Sequence, residues 1–173
     1  MNTTLSARLS ATAALTALAA ICSLHVSSAH AQTLTYNQAV AAIAPLYDSL
    51  NKPGTKDIGA LLAKSTTDDW KACVRDDLCV NREHVVKSLQ SRGVAIPDLK
   101  WEIKEVLVVG DRAIVRSEAS GTPVAQGAGL NPTGKAFRVM AIDIQTIRDG
   151  KISRSYHLED WAAAAQQLSA TRP

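Results

Sequence analysis

Aromatic residues and cysteines are scarce in this chain: one Phe, three Trp and three Tyr, with three Cys, among 173 residues. The aromatics form no run on which bases could stack. Lys and Arg are dispersed rather than gathered in a stripe, so nucleic acid is not an expected partner. Charge of one sign is also lacking, with 19 basic against 16 acidic residues. No internal repeat or low-complexity tract stands out apart from the alanine run Ala162 to Ala165. The apolar run from Ala11 to Leu24 is short for a bilayer span.

What is present at the N-terminus bounds the compartment. A polar start with Arg8, the apolar run, and Ala29-His30-Ala31 before Gln32 make an A-x-A-like cleavage signal, so residues 1–31 are expected to be a removed secretory peptide. A retained membrane anchor is the alternative. Removal leaves residues 32–173, a length that suits one domain with its own core. Arg8 is the only charged side chain lost, so 18 basic residues then face 16 acidic ones, a net +2. The remaining cysteines, Cys73 and Cys79, read as a local disulfide in an oxidising, periplasmic or secreted setting. No flanking motif marks either as a nucleophile, and a metal site calls for more ligands at closer spacing.

Helical periodicity comes first. Thr35 with Gln38 makes a capping box ahead of Val40, Ile43, Leu46, Tyr47 and Leu50, with Pro45 expected to kink the helix. Asp57 caps a short second helix, a loop with the cysteine pair follows, and Asn81 caps a third helix closed by Gly93. From Pro97 the period becomes two. Leu99 to Val109 and Arg112 to Ser120 form one hairpin through Gly110-Asp111. After a long loop, Ala136 to Arg148 and the strand from Lys151 form another through Asp149-Gly150. A terminal helix ends near Leu168. Helices followed by antiparallel hairpins argue an α+β fold with helices on one face of a curved sheet.

Counting outward from the Asp149-Gly150 turn sets Ile144 opposite Ser155 and Ile142 opposite His157, so His157 shares a face with Arg138, Met140, Ile142 and Ile144. On that count Asp143 lies on the opposite face, as a diagonal cross-strand partner of Arg154, a structural role preferred here to a catalytic one. His157 is expected among apolar residues, where its charge needs a partner. Asp160 precedes Trp161 and the alanine helix, and is both an N-cap and a candidate acid/base. The first hairpin sets Glu105 opposite Arg116 and Ile103 opposite Glu118, on a face with Trp101, Leu107 and Ile114. This face is either a cavity lining or, preferred, a solvated one. Tyr47, Trp70 and His84 are candidates to close a pocket from the helical side.

The string Asn131-Pro132-Thr133-Gly134-Lys135, the Ile142-Asp143-Ile144 strand, Arg148-Asp149-Gly150-Lys151-Ile152 and the closing Asp160 with Gln167-Leu168 resemble the SnoaL-like polyketide cyclase or ester cyclase group of the NTF2-like superfamily. The likeness is strongest over residues 98–168. It implies an α+β cone: N-terminal helices packed on a curved antiparallel sheet, with a short C-terminal helix. It also implies an internal pocket for a small apolar molecule, often a dimer, and neither metal nor organic cofactor. Members resembling it use an acidic residue near the end of the last strand as acid/base, which points to Asp160. The group's usual acidic residue, histidine and tryptophan after the Gly-Lys-Ile turn appear here as Arg154, Ser155 and Tyr156, and His157 stands where many members place an aspartate. The expected site therefore combines His157 and Asp160 as acid/base with Arg138, Tyr47, Trp70, Met140 and Arg116 as substrate contacts. The expected chemistry is cofactor-free proton transfer on a small carbonyl or ester compound, in a homodimer that no longer touches a membrane after signal cleavage. A non-catalytic binding or dimerisation module is the alternative.

Overall fold

Capping begins the fold. In the computed structural model, which describes residues 33–127 and 129–169, the Thr35 side chain accepts from the Gln38 N–H while Gln38 reaches back to the Thr35 backbone, opening α1 (Tyr36–Leu50). The capping box thus satisfies two donors that the first helical turn leaves free. Ala39, Ala42, Ile43, Leu46 and Tyr47 recur at helical spacing and are buried, and the helix runs through Pro45. Asp57 caps α2 (Ile58–Ser65) and Asn81 caps α3 (Arg82–Ala95), as their positions predict. The segment expected to be a signal peptide, residues 1–31, lies outside the described residues. No helix among those residues is long and apolar enough to cross a membrane.

Six strands make one sheet: β1 (Thr66–Arg75), β2 (Leu78–Val80), β3 (Lys100–Val109), β4 (Arg112–Gly121), β5 (Phe137–Arg148) and β6 (Lys151–Glu159). Their order is β2-β1-β6-β5-β4-β3, antiparallel throughout except that β1 runs parallel to β6. The segment expected to be a loop with the cysteine pair is therefore a hairpin, β1 and β2, and Trp70 sits on a strand rather than on the helical side. Cys73 and Cys79 face each other across it and are disulfide-bonded. The terminal helix α4 (Trp161–Ser169) packs on β5.

Both long hairpins turn where the sequence places the turns. Asp149 and Gly150 have φ of 53° and 73°, the left-handed pair that a two-residue turn matching strand twist requires. Both hairpins also contain a bulge that the outward count missed. Between Thr146↔Arg154 and Ile147↔Ile152 the strand β6 carries one extra residue, Ser153. Ile144 therefore lies opposite Tyr156 and Ile142 opposite Leu158, while Asp143 pairs with His157. A one-residue slip moves every later side chain to the other face. The same happens at Lys104: Glu105 does oppose Arg116, but Ile103 opposes Ser117 rather than Glu118. Trp101 consequently turns inward and is buried, while Glu105, Arg116 and Leu107 stay outside.

Helix α3 does not stop at Gly93; it continues to Ala95. Gly93 instead lets two backbones touch, because a Cβ there would stand 2.3 Å from the Gly54 nitrogen and 2.8 Å from its Cα. Gly54 lies in the one-turn 3-10 helix Pro53–Thr55, so neither partner can give way by rotating a side chain. Gly93→Ala is expected to lower stability by about 1 to 3 kcal/mol through overpacking, despite the better helix propensity of alanine, as read by a denaturant midpoint.

Candidate active site

The inner face of the sheet is largely apolar, and its titratable groups gather where β5 and β6 meet. There Asp143, Gln145 and Ser155 are buried beside His157 and Glu159, because the Ser153 bulge has brought Ser155, His157 and Glu159 to the same side as Asp143. His157 Nδ1 lies 2.7 Å from Asp143 Oδ1, and its Nε2 lies 2.9 Å from Glu159 Oε2. Tyr47, from α1, donates its hydroxyl to Asp143 Oδ2 at 2.6 Å. Arg92, from α3, reaches Glu159 Oε2 at 3.3 Å and lies over the Trp161 ring. Four elements thus supply one polar chain: Tyr47, Asp143, His157, Glu159, Arg92.

Aromatic and amide groups fix the frame. The Trp101 ring packs against the His157 ring at 5.9 Å, and its indole N–H donates to Ser117 at 2.7 Å. Asn51, just after α1, bonds both backbone groups of Trp101 as well as the Tyr47 carbonyl, so the helix bearing Tyr47 and the strand bearing Trp101 are locked together. On the other side the Trp70 N–H donates to Ser155, which in turn donates to Gln145. Among the described residues two buried side-chain atoms lack a hydrogen-bond partner, Gln145 Nε2 and Glu159 Oε1.

Electrostatics follow from that chain. Burial by itself lowers the His157 pKa, but the hydrogen bonds and charges of Asp143 and Glu159 outweigh it and raise the value from an ordinary 6.5 to about 10. His157 is therefore an imidazolium at neutral pH, with both N–H groups given to carboxylates. Burial, reinforced by the charge of Asp143 and its hydrogen bond, pushes the Tyr47 hydroxyl far up, so it remains a neutral donor. Among the described residues no group of His, Cys, Asp and Glu is arranged to hold a metal ion.

Above this floor opens a cavity of about 410 Å³. Asp143, Gln145, Ser155 and His157 line its polar end. Leu46 and Leu50 of α1, Trp70 and Cys73 of β1, Leu78 of β2 and Leu89 of α3 contribute to its apolar walls. Of the sequence-derived candidates, His157, Trp70 and His84 line it, and Tyr47 stands behind Asp143. Arg116, Arg138 and Met140 do not reach it, since they project from the other face of the sheet, where Arg116 pairs with Glu105 and Arg138 with Glu118. Asp160 is exposed and accepts from the Ala163 N–H at 2.9 Å, an N-cap of α4 and not a cavity residue. Sequence reasoning gave Asp143 to Arg154 and assigned no role to Glu159 or Arg92. The break in alternation at Ser153-Arg154-Ser155, three polar residues in a row, was the available sign of the bulge.

In comparisons with known proteins, the family model described as SnoaL-like polyketide cyclase matches residues 42–168. TsrD from Streptomyces laurentii is 22% identical with a TM-score of 0.68, covering 80% of this chain and 99% of its own. IdmH from Streptomyces antibioticus is 23% identical with a TM-score of 0.64, covering 75% and 96%. A SnoaL-like polyketide cyclase from Agrobacterium tumefaciens is 20% identical with a TM-score of 0.60, covering 74% and 95%. No curated protein matches the sequence.

The pH dependence of stability carries a sign. His157 binds its proton more tightly folded than unfolded, so its contribution is fully present below about pH 6.5 and is lost as pH rises through about 10. Thermal melts from pH 6.5 to 10 should show a decline that His157→Gln largely removes; parallel declines in both proteins would contradict the assignment.

Proposed function

Because this chain belongs to the SnoaL-like polyketide cyclase family, whose members support a cofactor-free, cyclase- or isomerase-type function, we propose that it moves protons on a small apolar carbonyl or ester compound, with Asp143 as the base. The observation that carries this reading is a carboxylate at the floor of an apolar cavity, held between a neutral hydroxyl and a fixed imidazolium. Both oxygens of Asp143 accept one hydrogen bond, yet a carboxylate has about four lone-pair sites, so acceptor capacity remains. Asp143 removes a proton α to a carbonyl, and the electron pair moves onto the carbonyl oxygen as an enolate. The enolate then either takes the proton back at another carbon, or attacks a second carbonyl whose new alkoxide takes the proton from Asp143. His157 acts as a positioning charge throughout, Tyr47 holds Asp143 through its hydroxyl, and the Gln145 amide nitrogen, which has no other partner among the described residues, is the neutral donor for the enolate. Asp160 has no part in this step.

The second reading is a binding module that holds a similar molecule without turnover. It is favoured by the engagement of both His157 nitrogens and both Asp143 oxygens with protein partners. For either reading we infer an exported protein, cleaved before Gln32, since a disulfide and the N-terminal segment agree on that compartment. We also infer a homodimer joined through the outer sheet face, where Met140, Ile142 and Leu158 are exposed together on paired strands.

Deuterium uptake at the α carbon of 1-tetralone in D2O, followed by NMR, separates the readings. The wild-type protein should accelerate exchange, and Asp143→Asn should lose roughly 10²- to 10⁴-fold of that acceleration while remaining folded. Unchanged exchange in a folded Asp143→Asn protein would remove Asp143 from the chemistry, and no acceleration by the wild type would favour the binding module.

A further inference from the structure

Helix α3 presents a second polar feature to the cavity, which starts from Arg92, the last member of the polar chain. His84, Ser88 and Arg92 are spaced i, i+4, i+8 and all three line the cavity. That spacing puts them in one stripe about 12 Å long on a single helix face. Packing does not require them there, since the α3 side chains fixed in the core are Leu89 and Ala95, with Gly93 against Gly54. His84 is exposed and Ser88 and Arg92 are half-buried, so a ligand seated against the stripe takes their polar groups out of solvent, which costs free energy unless that ligand supplies partners.

Those partners are largely missing from the chain itself. Among the described residues neither the His84 imidazole nor the Ser88 hydroxyl has a hydrogen-bond partner; the one bond recorded at His84 is its backbone N–H to the Asn81 cap. The two arginines of α3 make the contrast. Arg82 is committed, with Nε to Thr66 Oγ1 and its terminal nitrogen to the Thr66 and Thr67 carbonyls and to Asp68. Arg92 makes a single 3.3 Å contact to Glu159 and otherwise stacks on Trp161, with 22% of its side chain exposed. Its Nε and remaining amino group have no acceptor among the described residues. A guanidinium has five donors in a planar fork suited to carboxylate-like groups, and one such fork can serve two acceptors at once.

We propose that the cavity selects an amphipathic acid, with an apolar body against Leu46, Leu50 and Trp70 and one anionic head, a carboxylate or an equivalent oxyanion, bound by Arg92 and steered along Ser88 and His84. This deepens the preceding reading by naming the ligand class of the same cavity, and it rests on the cavity being the ligand site. The apolar walls supply affinity and the stripe supplies selectivity. An uncharged ligand would leave the stripe's donors unpaired beside it. An anion bound at Arg92 compensates them without disturbing the Glu159 contact.

Two fluorescent probes share one aromatic skeleton and differ in the head group: 1-anilinonaphthalene-8-sulfonate is anionic and N-phenyl-1-naphthylamine is neutral. Titrated against the disulfide-intact protein, the anionic probe should bind about tenfold more tightly, the gain expected of one charge-assisted contact. Arg92→Gln should abolish that preference while leaving the neutral probe within about twofold. Removing Arg92 also takes from the buried Glu159 side chain one of its two cationic partners, leaving His157 alone, so a second variant guards against misfolding. The double substitution His84→Gln with Ser88→Ala leaves the Arg92 contact to Glu159 intact and should cut the preference about threefold. Ala72→Trp, which fills the cavity from β1, should weaken both probes together. Equal binding of the two probes by the wild type, or a preference that persists in both stripe variants, overturns the proposal. Probes that ignore Ala72→Trp overturn the cavity as the ligand site, and the proposal with it, whereas failure of ketone exchange alone touches only the catalytic reading.

Discussion

The two hydrogen bonds that hold the His157 ring between Asp143 and Glu159 are the constraint on which the rest of the site depends. Two carboxylates buried in an apolar sheet face would repel one another and pay heavily for lost water. A cation between them removes both penalties, and it is the carboxylates that keep the ring cationic against the effect of burial. Each group therefore makes the others tolerable. Glu159, whose side chain is only 1% exposed, completes its charge balance through Arg92, and Asp143 takes a neutral hydrogen bond from Tyr47. Loss of any member removes one partner of a buried charge, so the chain should behave as a unit with non-additive effects.

That arrangement exists because one strand is a residue too long. With the Ser153 bulge, His157 and Glu159 face the helices, and Tyr47 and Arg92 descend from α1 and α3 to meet them. Without it the same strand would show Tyr156 and Leu158 to the cavity and leave His157 on the outer face beside Met140 and Ile142. The bulge at Lys104 performs the matching service on β3, turning Trp101 inward to pack against the imidazolium. The glycine contact between Gly93 and Gly54 brings α3 close to the turn after α1, near the Asn51 bonds that tie α1 to β3. Register and close helix packing are thus what convert a family fold into this particular set of side chains.

The sequence was legible where structure is decided locally. Thr35, Asp57 and Asn81 cap helices where their side chains can reach the free N–H groups, and Gly110 and Gly150 mark turns because each needs a left-handed backbone. The family likeness conveyed the α+β cone, and the cysteine pair conveyed the disulfide. What stayed hidden depended on distant partners. Strand β1 was missed because its neighbour β6 lies more than 80 residues along the chain and pairs with it in parallel. Asp143 and His157 were assigned to opposite faces because a period-two count carries no term for an inserted residue. Asp160 drew attention as the acidic residue nearest the family pattern, while the carboxylates that meet His157 are Asp143 across the sheet and Glu159 one position earlier than Asp160. Arg138 and Met140 were placed near the site by the same slipped count, and Arg116 by the matching slip at Lys104 on the first hairpin.

The central claim is that His157 is a clamped imidazolium and not a titrating base, and its ring nitrogens report this directly. Long-range 1H–15N NMR of the labelled protein at pH 8 should show both His157 nitrogens protonated, while His84 at the cavity rim serves as an internal comparison. Asp143→Asn and Glu159→Gln should each move the His157 transition down toward its ordinary 6.5. A His157 ring that is neutral at pH 8, with one protonated and one bare nitrogen, would contradict the account.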